Sequence, residues 1–241
     1  MSPNIVNLHD HENAARAVMD ESAWAYFSGG AGDEITLRRN TQAWQQWALA
    51  PRVLRDLRGG HTRCRLLDRE WPLPLLVAPM ALQRWAHPDG EVGMALAAAA
   101  QDCGLVLSHQ TSTPLQEVAR LFLPEPERGP LWFQMYWQAD HARNTQLLRA
   151  VEDAGYEALV LTVDQPVPGW SPRAYRTPVI ADPNIRSVNM VGQPVACAPP
   201  PLPPPWPPAS ADRSKAPAVT LAESLGRSPA VSKSASTLSA L

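Results

Sequence analysis

The 241-residue sequence has no lysine before Lys215, and its only other lysine is Lys233. Reactions that need a lysine side chain are therefore excluded from residues 1–214. The three cysteines, Cys64, Cys103 and Cys197, are widely spaced and form no CxxC or CxxH pattern. This spacing argues against a disulfide framework and a zinc site. We expect free thiols in a reducing compartment, and no metal.

Long apolar runs and a strong charge bias are also missing. No stretch reaches the roughly 18 apolar residues of a membrane-spanning helix, and residues 1–10 lack the basic and apolar regions of a signal peptide. The formal net charge of −2 is unlike that of a basic nucleic-acid-binding protein, while 45% hydrophobic residues suffice for a core. These features predict a globular cytoplasmic protein with no membrane segment and no nucleic-acid partner.

Proline divides the chain into two regions. Of the 26 prolines, 11 fall in the last 50 residues, where residues 198–210 read APPPLPPPWPPAS. The remainder of that region is rich in serine and alanine and has no apolar periodicity, which is typical of disorder. We therefore predict a folded region over residues 1–190 and a disordered low-complexity tail over residues 191–241.

Apolar runs and helical segments alternate in the folded region. Two leading helices are predicted at residues 10–27 and 33–48, the first closed by a left-handed glycine after Ser28 and the second capped by Asp33. Strands are then predicted at Leu73–Pro79, Leu105–Ser108, Pro130–Tyr136 and Ala158–Asp164, and helices at Pro88–Gly104, Thr113–Leu121 and His141–Ala154. The first strand, which has proline at both ends, is expected to be buried on both faces.

Strands that alternate with helices through short loops indicate parallel neighbours and the α/β class. Periodicity alone does not separate an open doubly wound sheet from part of an eight-stranded barrel. No G-x-G-x-x-G follows any strand, which favours the barrel over a dinucleotide-binding sheet. A (β/α)8 TIM barrel takes about 250 residues, so we predict only its leading helices and about four βα units here.

Polar residues stand where the apolar runs end, which in a barrel is the catalytic face. They are Ser108, Gln134 with Tyr136, and Thr162 with Asp164, and the first run ends in Pro79-Met80-Ala81. Hydroxyls and an amide suit a planar heterocycle with several donors and acceptors, whereas paired carboxylates and clustered metal ligands are missing. Each side chain alone has another interpretation, the satisfaction of loop backbone. Their occurrence on successive strands favours a ring-binding pocket.

Five sequence blocks resemble one enzyme family. They are YFSGGAGDE from Tyr26, APMALQRWAHPDGE from Ala78, LSHQTST from Leu107, FQMYWQAD from Phe133 and LTVDQPVPG from Leu161. Their order and spacing resemble the FMN-dependent α-hydroxy-acid oxidases and dehydrogenases, which include glycolate oxidase, lactate oxidase and mandelate dehydrogenase. The resemblance covers residues 1 to about 190.

The resemblance implies FMN as cofactor and oxidation of a small L-2-hydroxy acid to a 2-oxo acid. It places the backbone of Pro79, Met80 and Ala81 against the flavin ring, with Ser108, Gln134 and Thr162 hydrogen-bonded to the ring's polar edge. Tyr26 and Arg173 would bind the substrate carboxylate, and Tyr136 would act as the catalytic residue beside the substrate hydroxyl. Arg176 is a rival for Arg173. Full-length relatives of this kind can form homo-oligomers.

Other interpretations of these residues stay open. Tyr26 could be a core residue at a helix end and Arg173 a solvated loop charge. The alternative role of Asp164 is to cap a loop. His109 follows Ser108, but no sequence feature directs it toward a substrate.

Several parts of the family's machinery have no counterpart in the sequence. The family's general base is a histidine in a Ser-Asn-His-Gly block, accompanied by a strand-end lysine, a second substrate arginine, and Asp-Gly-Gly and Gly-Arg segments that bind the phosphate. No Ser-Asn-His-Gly or Asp-Gly-Gly block occurs here, and the one Gly-Arg pair, Gly226-Arg227, lies in the low-complexity tail. We therefore expect a truncated chain that is inactive alone, with its tail replacing the second half through a frameshift or false gene boundary.

Two alternatives remain. In the first, residues 199–208 form a polyproline II helix that binds the aromatic-lined groove of a partner domain. The degenerate half barrel is then a scaffold, and the chain is an interaction protein and not an enzyme. In the second, the half barrel assembles with a separately encoded partner that carries the missing histidine.

Overall fold

A computed structural model describes residues 5–163, 169–177, 182 and 184–190, all within one compact unit. The chain begins with helices α1 (Leu8–Val18), α2 (Glu21–Ser28) and α3 (Ile35–Trp44), followed by an antiparallel hairpin of β1 (Cys64–Leu66) and β2 (Arg69–Trp71). The central elements are β3 (Leu76–Val77), α4 (Gly90–Ala100), β4 (Gly104–Ser108), α5 (Leu115–Phe122), β5 (Leu131–Tyr136), α6 (His141–Asp153) and β6 (Ala158–Thr162), and α7 (Pro172–Arg176) follows.

The four later strands form one parallel sheet in the order β3-β4-β5-β6. Each strand is joined to the next through a helix, as parallel pairing requires. The predicted α/β class with consecutive βα units is therefore confirmed. The sequence of strand, helix and neighbouring parallel strand is the repeating unit of a (β/α)8 barrel.

One face of the sheet holds the hydrophobic core. Leu105 and Leu107 of β4 and Leu131, Phe133 and Met135 of β5 alternate along their strands and pack against apolar residues of α4, α5 and α6. Residues at the intervening positions, among them Ser108 and Gln134, lie on the opposite face. This period of two gives the sheet one apolar and one polar side at its carboxyl end.

The N-terminal helices differ from the prediction. The helix expected at residues 10–27 is two helices, because Asp20 leaves the helical path and its carboxylate accepts hydrogen bonds from the N–H groups of Ser22 and Ala23. The glycine expected to close the first helix in the left-handed region, Gly29, is extended at φ −82°. The N-cap of α3 is Glu34 at φ 57°, so the assignment of Asp33 was wrong.

The first sheet strand is also shorter than predicted. Only Leu76 and Val77 pair with β4, and both are half-buried, so the expectation of a strand over Leu73–Pro79 that is buried on both faces was wrong. The following helix begins at Gly90 rather than Pro88 and ends at Ala100. The turn before it, Gln83–Trp85, is a 3-10 helix that the sequence pattern did not indicate.

An ion-pair cluster fixes the hairpin beneath the sheet. Glu157, just before β6, contacts Arg69 of β2 and accepts a hydrogen bond of 2.6 Å from Nη1 of Arg128. Burial by itself raises the pKa of the Glu157 carboxyl, but hydrogen bonds and charge from both guanidinium groups outweigh burial and hold the pKa below its ordinary value of 4.5. The cluster therefore ties together three segments at the amino end of the strands.

Candidate functional site

Three polar side chains at the carboxyl ends of β4, β5 and β6 form a continuous hydrogen-bonded row. The Ser108 hydroxyl donates to Oε1 of Gln134 at 3.3 Å, and Nε2 of Gln134 donates to Oγ1 of Thr162 at 2.7 Å. Ser108 lies opposite Gln134 in the parallel register, which explains why the two side chains meet. The structure thus brings together all three residues predicted to contact the polar edge of a ring.

The orientation of the Gln134 amide follows from its partners. Its oxygen accepts from both the Ser108 hydroxyl and the backbone N–H of His109, whereas its nitrogen faces Thr162. Ser108 accepts in turn from the backbone N–H of Gln110 at 3.1 Å. Because Ser108 and Gln134 are buried, reversing the amide would set the backbone N–H of His109, which can only donate, against the amide nitrogen, at a cost in free energy.

The loop after β3 reaches the same end of the sheet. Pro79 and Met80 are exposed and Ala81 is half-buried. The next residue, Leu82, adopts φ 50° and donates its backbone N–H to the carbonyl of Gln110 at 3.0 Å. This bond joins the loop after β3 to the loop after β4. The predicted ring-facing backbone is therefore accessible and anchored beside the row.

Tyr136 ends β5 next to the row. It is half-buried and lies opposite Thr162 in the strand register. Its backbone N–H donates to Nδ1 of His109 at 3.3 Å. The structure thus places the predicted catalytic phenol on the strand that carries Gln134, two residues further along.

His109 is a buried residue on the helical side of the sheet. Its ring lies 5.9 Å from that of Phe133 in the core, and its side chain has no exposed area. Burial lowers the pKa of the imidazole below its ordinary value, while backbone hydrogen bonds with Asn189 and Tyr136 act in the opposite direction. A neutral core histidine that supports the end of β5 accounts for these contacts.

Tyr26 lies in α2 and Arg173 in α7, away from the strands that carry the row. The Tyr26 ring packs edge-to-face on Trp85 of the 3-10 turn at 5.3 Å between centroids. Arg173 of α7 donates to Oγ of Ser28 at 2.9 Å and pairs with Oε2 of Glu34 at 2.7 Å. The predicted carboxylate-binding arginine therefore already has a carboxylate partner within the chain.

Arg176, the rival for Arg173, is exposed and lines a surface cavity with Arg16 and Trp24.

Asp164 and Cys197 lie outside the described residues, as does the whole predicted tail. The thiols of Cys64 and Cys103 are free and half-buried. Within the described part of the chain, no group of three or more His, Cys, Asp and Glu side chains could hold a metal ion, and no helix is long and apolar enough to cross a membrane.

One buried acid was not recognised from the sequence as part of this site. Glu91 in the first turn of α4 is 1% exposed and accepts hydrogen bonds from Gln83, Ser112 and Thr113. An acid in a first turn ordinarily indicates only a favourable helix dipole. Its donors lie in two loops, and no local pattern marks that convergence.

Comparisons with known proteins agree with this geometry. A family model described as FMN-dependent dehydrogenase matches residues 15–224, and the chain belongs to that family. The predicted family and its cofactor, FMN, are thereby confirmed. The match extends beyond residue 190, the predicted end of the folded region, so the boundary itself stays a prediction.

Over the aligned regions, the sequences of individual relatives are about a third to under half identical to the chain. L-lactate oxidase from Alicycliphilus denitrificans (strain DSM 14773 / CIP 107495 / K601) is 44% identical over 163 residues, which are 67% of this chain and 43% of that protein. Human 2-hydroxyacid oxidase 1 is 34% identical over 70% of this chain and 45% of its own length. The chain spans about half the length of the curated relatives it matches.

Solved structures show the same relationship. A mandelate oxidase variant with (S)-mandelic acid superimposes with a TM-score of 0.72 at 35% sequence identity, covering 78% of this chain and 54% of that one. Another mandelate oxidase structure, with benzoyl-formic acid, also gives a TM-score of 0.72, at 36% identity. The likeness therefore includes the fold as well as the sequence.

Proposed function

We propose that the chain supplies the ring-binding side of an FMN site in an enzyme that oxidises an L-2-hydroxy acid to a 2-oxo acid. The observation that carries this proposal is the row of Ser108, Gln134 and Thr162. Its members are polar, adjacent on three strands and fixed by one another. Such a preorganised set recognises a flat ring through hydrogen bonds that need little rearrangement.

The donor set fits the polar edge of a flavin. The Thr162 hydroxyl accepts from Gln134, so its own proton is directed elsewhere and is a donor for a ring carbonyl or ring nitrogen. The Gln134 amide, with its oxygen already bound, presents Nε2 as its donor side. The exposed Pro79 and Met80 and the half-buried Ala81 offer backbone and small apolar groups to the face of a ring.

Bound FMN supplies the acceptor for the hydride that leaves the α-carbon of the substrate. The residues of this chain have the remaining tasks of binding and orientation. The Tyr136 phenol is assigned to the substrate hydroxyl, and Tyr26 with Arg173 to the carboxylate. The planar guanidinium suits a carboxylate, but Glu34 occupies part of its hydrogen-bonding edge, so substrate binding would share or displace that pairing.

Turnover also needs a general base for the hydroxyl proton. The sequence lacks the Ser-Asn-His-Gly block that supplies this base in the family, and burial removes His109 from the polar face. We therefore assign no base to this chain, and its 241 residues alone are expected to bind flavin without producing a 2-oxo acid. The polyproline alternative concerns residues outside the described part, and it stays a prediction.

The test is a fluorescence titration of FMN with the full chain and two variants. Gln134→Leu removes the central amide of the row, and we expect FMN affinity to fall by about fivefold to 150-fold, since one lost hydrogen bond with unpaired partners costs about 1–3 kcal/mol. The matched control is Asn144→Leu, which removes another buried amide, that of Asn144 in α6, which bonds to the backbone of Gln138 before that helix.

The control separates the site from general stability. If both variants fold and only Gln134→Leu loses affinity, the row holds the ring. Equal losses in both variants, or full affinity in Gln134→Leu, would contradict the assignment. An assay of the FMN-loaded chain with L-lactate checks the second claim, and 2-oxo acid formation would show that a base is present after all.

A further inference from the structure

We infer that Glu91 is a positioning residue that locks the loop after β3 against the loop after β4 and so sets the flavin-facing backbone of Met80 and Ala81. This inference rests on the proposed FMN site. Glu91 is not part of the row. Its hydrogen bonds within the described part of the chain go to Gln83, Ser112 and Thr113. Its effect on the ring would pass through the two loops.

Both carboxylate oxygens of Glu91 have two donors each. Oε1 accepts from the backbone N–H groups of Gln83 at 3.1 Å and Ser112 at 2.8 Å. Oε2 accepts from the hydroxyls of Ser112 at 2.7 Å and Thr113 at 2.9 Å. These four bonds fill the acceptor positions of an ionised carboxylate. The charge lies in the first turn of α4, where the helix dipole favours an anion.

The donors come from the two loops that carry the proposed ring contacts. Gln83 lies two residues after Ala81, and Ser112 lies four residues after Ser108. A second bond, which Glu91 does not make itself, joins the same loops: the Leu82 N–H donates to the Gln110 carbonyl at 3.0 Å. The Gln110 N–H in turn binds Ser108 of the row. Glu91 thus holds together the two loops whose hydrogen bonds, from Leu82 to Gln110 and from Gln110 to Ser108, lead to the row.

Burial makes the carboxylate hard to replace. Glu91 is 1% exposed, and Gln83 and Ser112 are buried with it. Removing the carboxylate would therefore leave the backbone N–H groups of Gln83 and Ser112 without an acceptor and out of reach of water. A glutamine has a way to substitute for it. Its amide oxygen would accept from the two backbone groups, while its nitrogen would donate to the hydroxyls of Ser112 and Thr113, which can turn to accept.

The experiment compares the full wild-type chain with Glu91→Met, Glu91→Gln and Ala98→Gly. The first variant keeps the bulk and loses the acceptors, and the second retains them in part. Ala98→Gly weakens the same helix at a buried position that faces the core rather than the loops. FMN affinity is measured by fluorescence titration, and amide hydrogen exchange is measured without FMN.

We expect Glu91→Met to lose at least tenfold in FMN affinity, Glu91→Gln to recover most of it, and Ala98→Gly to retain the wild-type value despite a lower melting temperature. In Glu91→Met the Leu82 amide should exchange at least tenfold faster while the β4 amides stay protected. A residue that only stabilises the fold would instead give equal affinity losses in Glu91→Met and Ala98→Gly.

Failure of the proposed FMN site is distinguishable from failure of this inference. A wild-type chain that binds no FMN contradicts the site, and hydrogen exchange still tests the loops. Unchanged Leu82 exchange in Glu91→Met would overturn the positioning role. Unchanged FMN affinity in a folded Glu91→Met variant of a chain that binds FMN would overturn it as well.

Discussion

The sheet with its helices and the N-terminal arm, residues 5–63, use apolar residues in opposite ways. In the sheet, Leu131 and Phe133 have no exposed area. In the arm, α2 buries Ala23 and Ala25, but α1 and α3 contain no buried residue, and Trp47 is 80% exposed and Leu54 fully exposed. A βα unit brings its own helix to cover its strand, whereas helices of 10 or 11 residues depend on packing against something else. Hydrophobic stabilisation is therefore concentrated in the sheet.

The largest expected difference between the regions concerns aromatic residues. Phe133→Ala would remove a ring that packs edge-to-face on Tyr156 in the core, and we expect it to lower the free energy of unfolding by about 3–5 kcal/mol. Trp47→Ala in the arm should change it by less than about 0.5 kcal/mol. Urea unfolding of the full chain measures both. A large loss in Trp47→Ala would show that the arm is packed in solution and would break the comparison.

Two ion pairs, one in each region, are expected to differ in the same direction but by a smaller free energy than the two aromatic residues. Arg128–Glu157, at the amino end of the sheet strands, and Arg58–Asp56 in the arm have nearly equal N–O distances, 2.6 and 2.7 Å. However, the Arg128 side chain is 17% exposed and that of Arg58 is 91% exposed. We expect Arg128→Met to cost about 1.5–3 kcal/mol, the range for hydrogen bonds to charged groups, and Arg58→Met to have no measurable effect. Similar losses in the two variants would refute the distinction.

Acid should remove part of that stabilisation. Because the pKa of Glu157 is lower in the folded chain than its ordinary value of 4.5, the ionised carboxylate stabilises the fold above pH 4.5, and the stabilisation is lost as the pH falls through the folded-state pKa. Wild type should therefore lose more stability than Glu157→Gln between pH 5 and lower pH. Parallel pH profiles from urea unfolding would contradict the assigned role.

Much of the sheet was predictable from local sequence. β4 and β5 coincide closely with apolar runs, and α6 begins after Asp140, whose carboxylate accepts from two first-turn N–H groups. The row was predictable for the same reason, because a polar residue that ends a buried parallel strand must lie at the carboxyl edge of the sheet. Strand alternation places Ser108 and Gln134 on one face of the sheet.

Other features depend on contacts that local patterns do not carry. The hairpin of β1 and β2 has three-residue strands, and its turn places Leu67 and Asp68 at positive φ without glycine or asparagine. The break before α2 comes from Asp20 acting as a cap, with no proline or glycine to mark it. The burial of Glu91 likewise depends on donors about 20 residues away.

The central claim, a flavin site at the carboxyl ends of the strands, is tested most directly by amide hydrogen exchange of the full chain with and without FMN. We expect FMN to slow exchange in peptides that contain Met80–Ala81, Ser108–Gln110 and Gln134–Tyr136, and to leave residues 44–57 of the arm unchanged. Protection confined to the arm, or to the amino ends of the strands around Gly129, would contradict the account, as would the absence of any protection at saturating FMN.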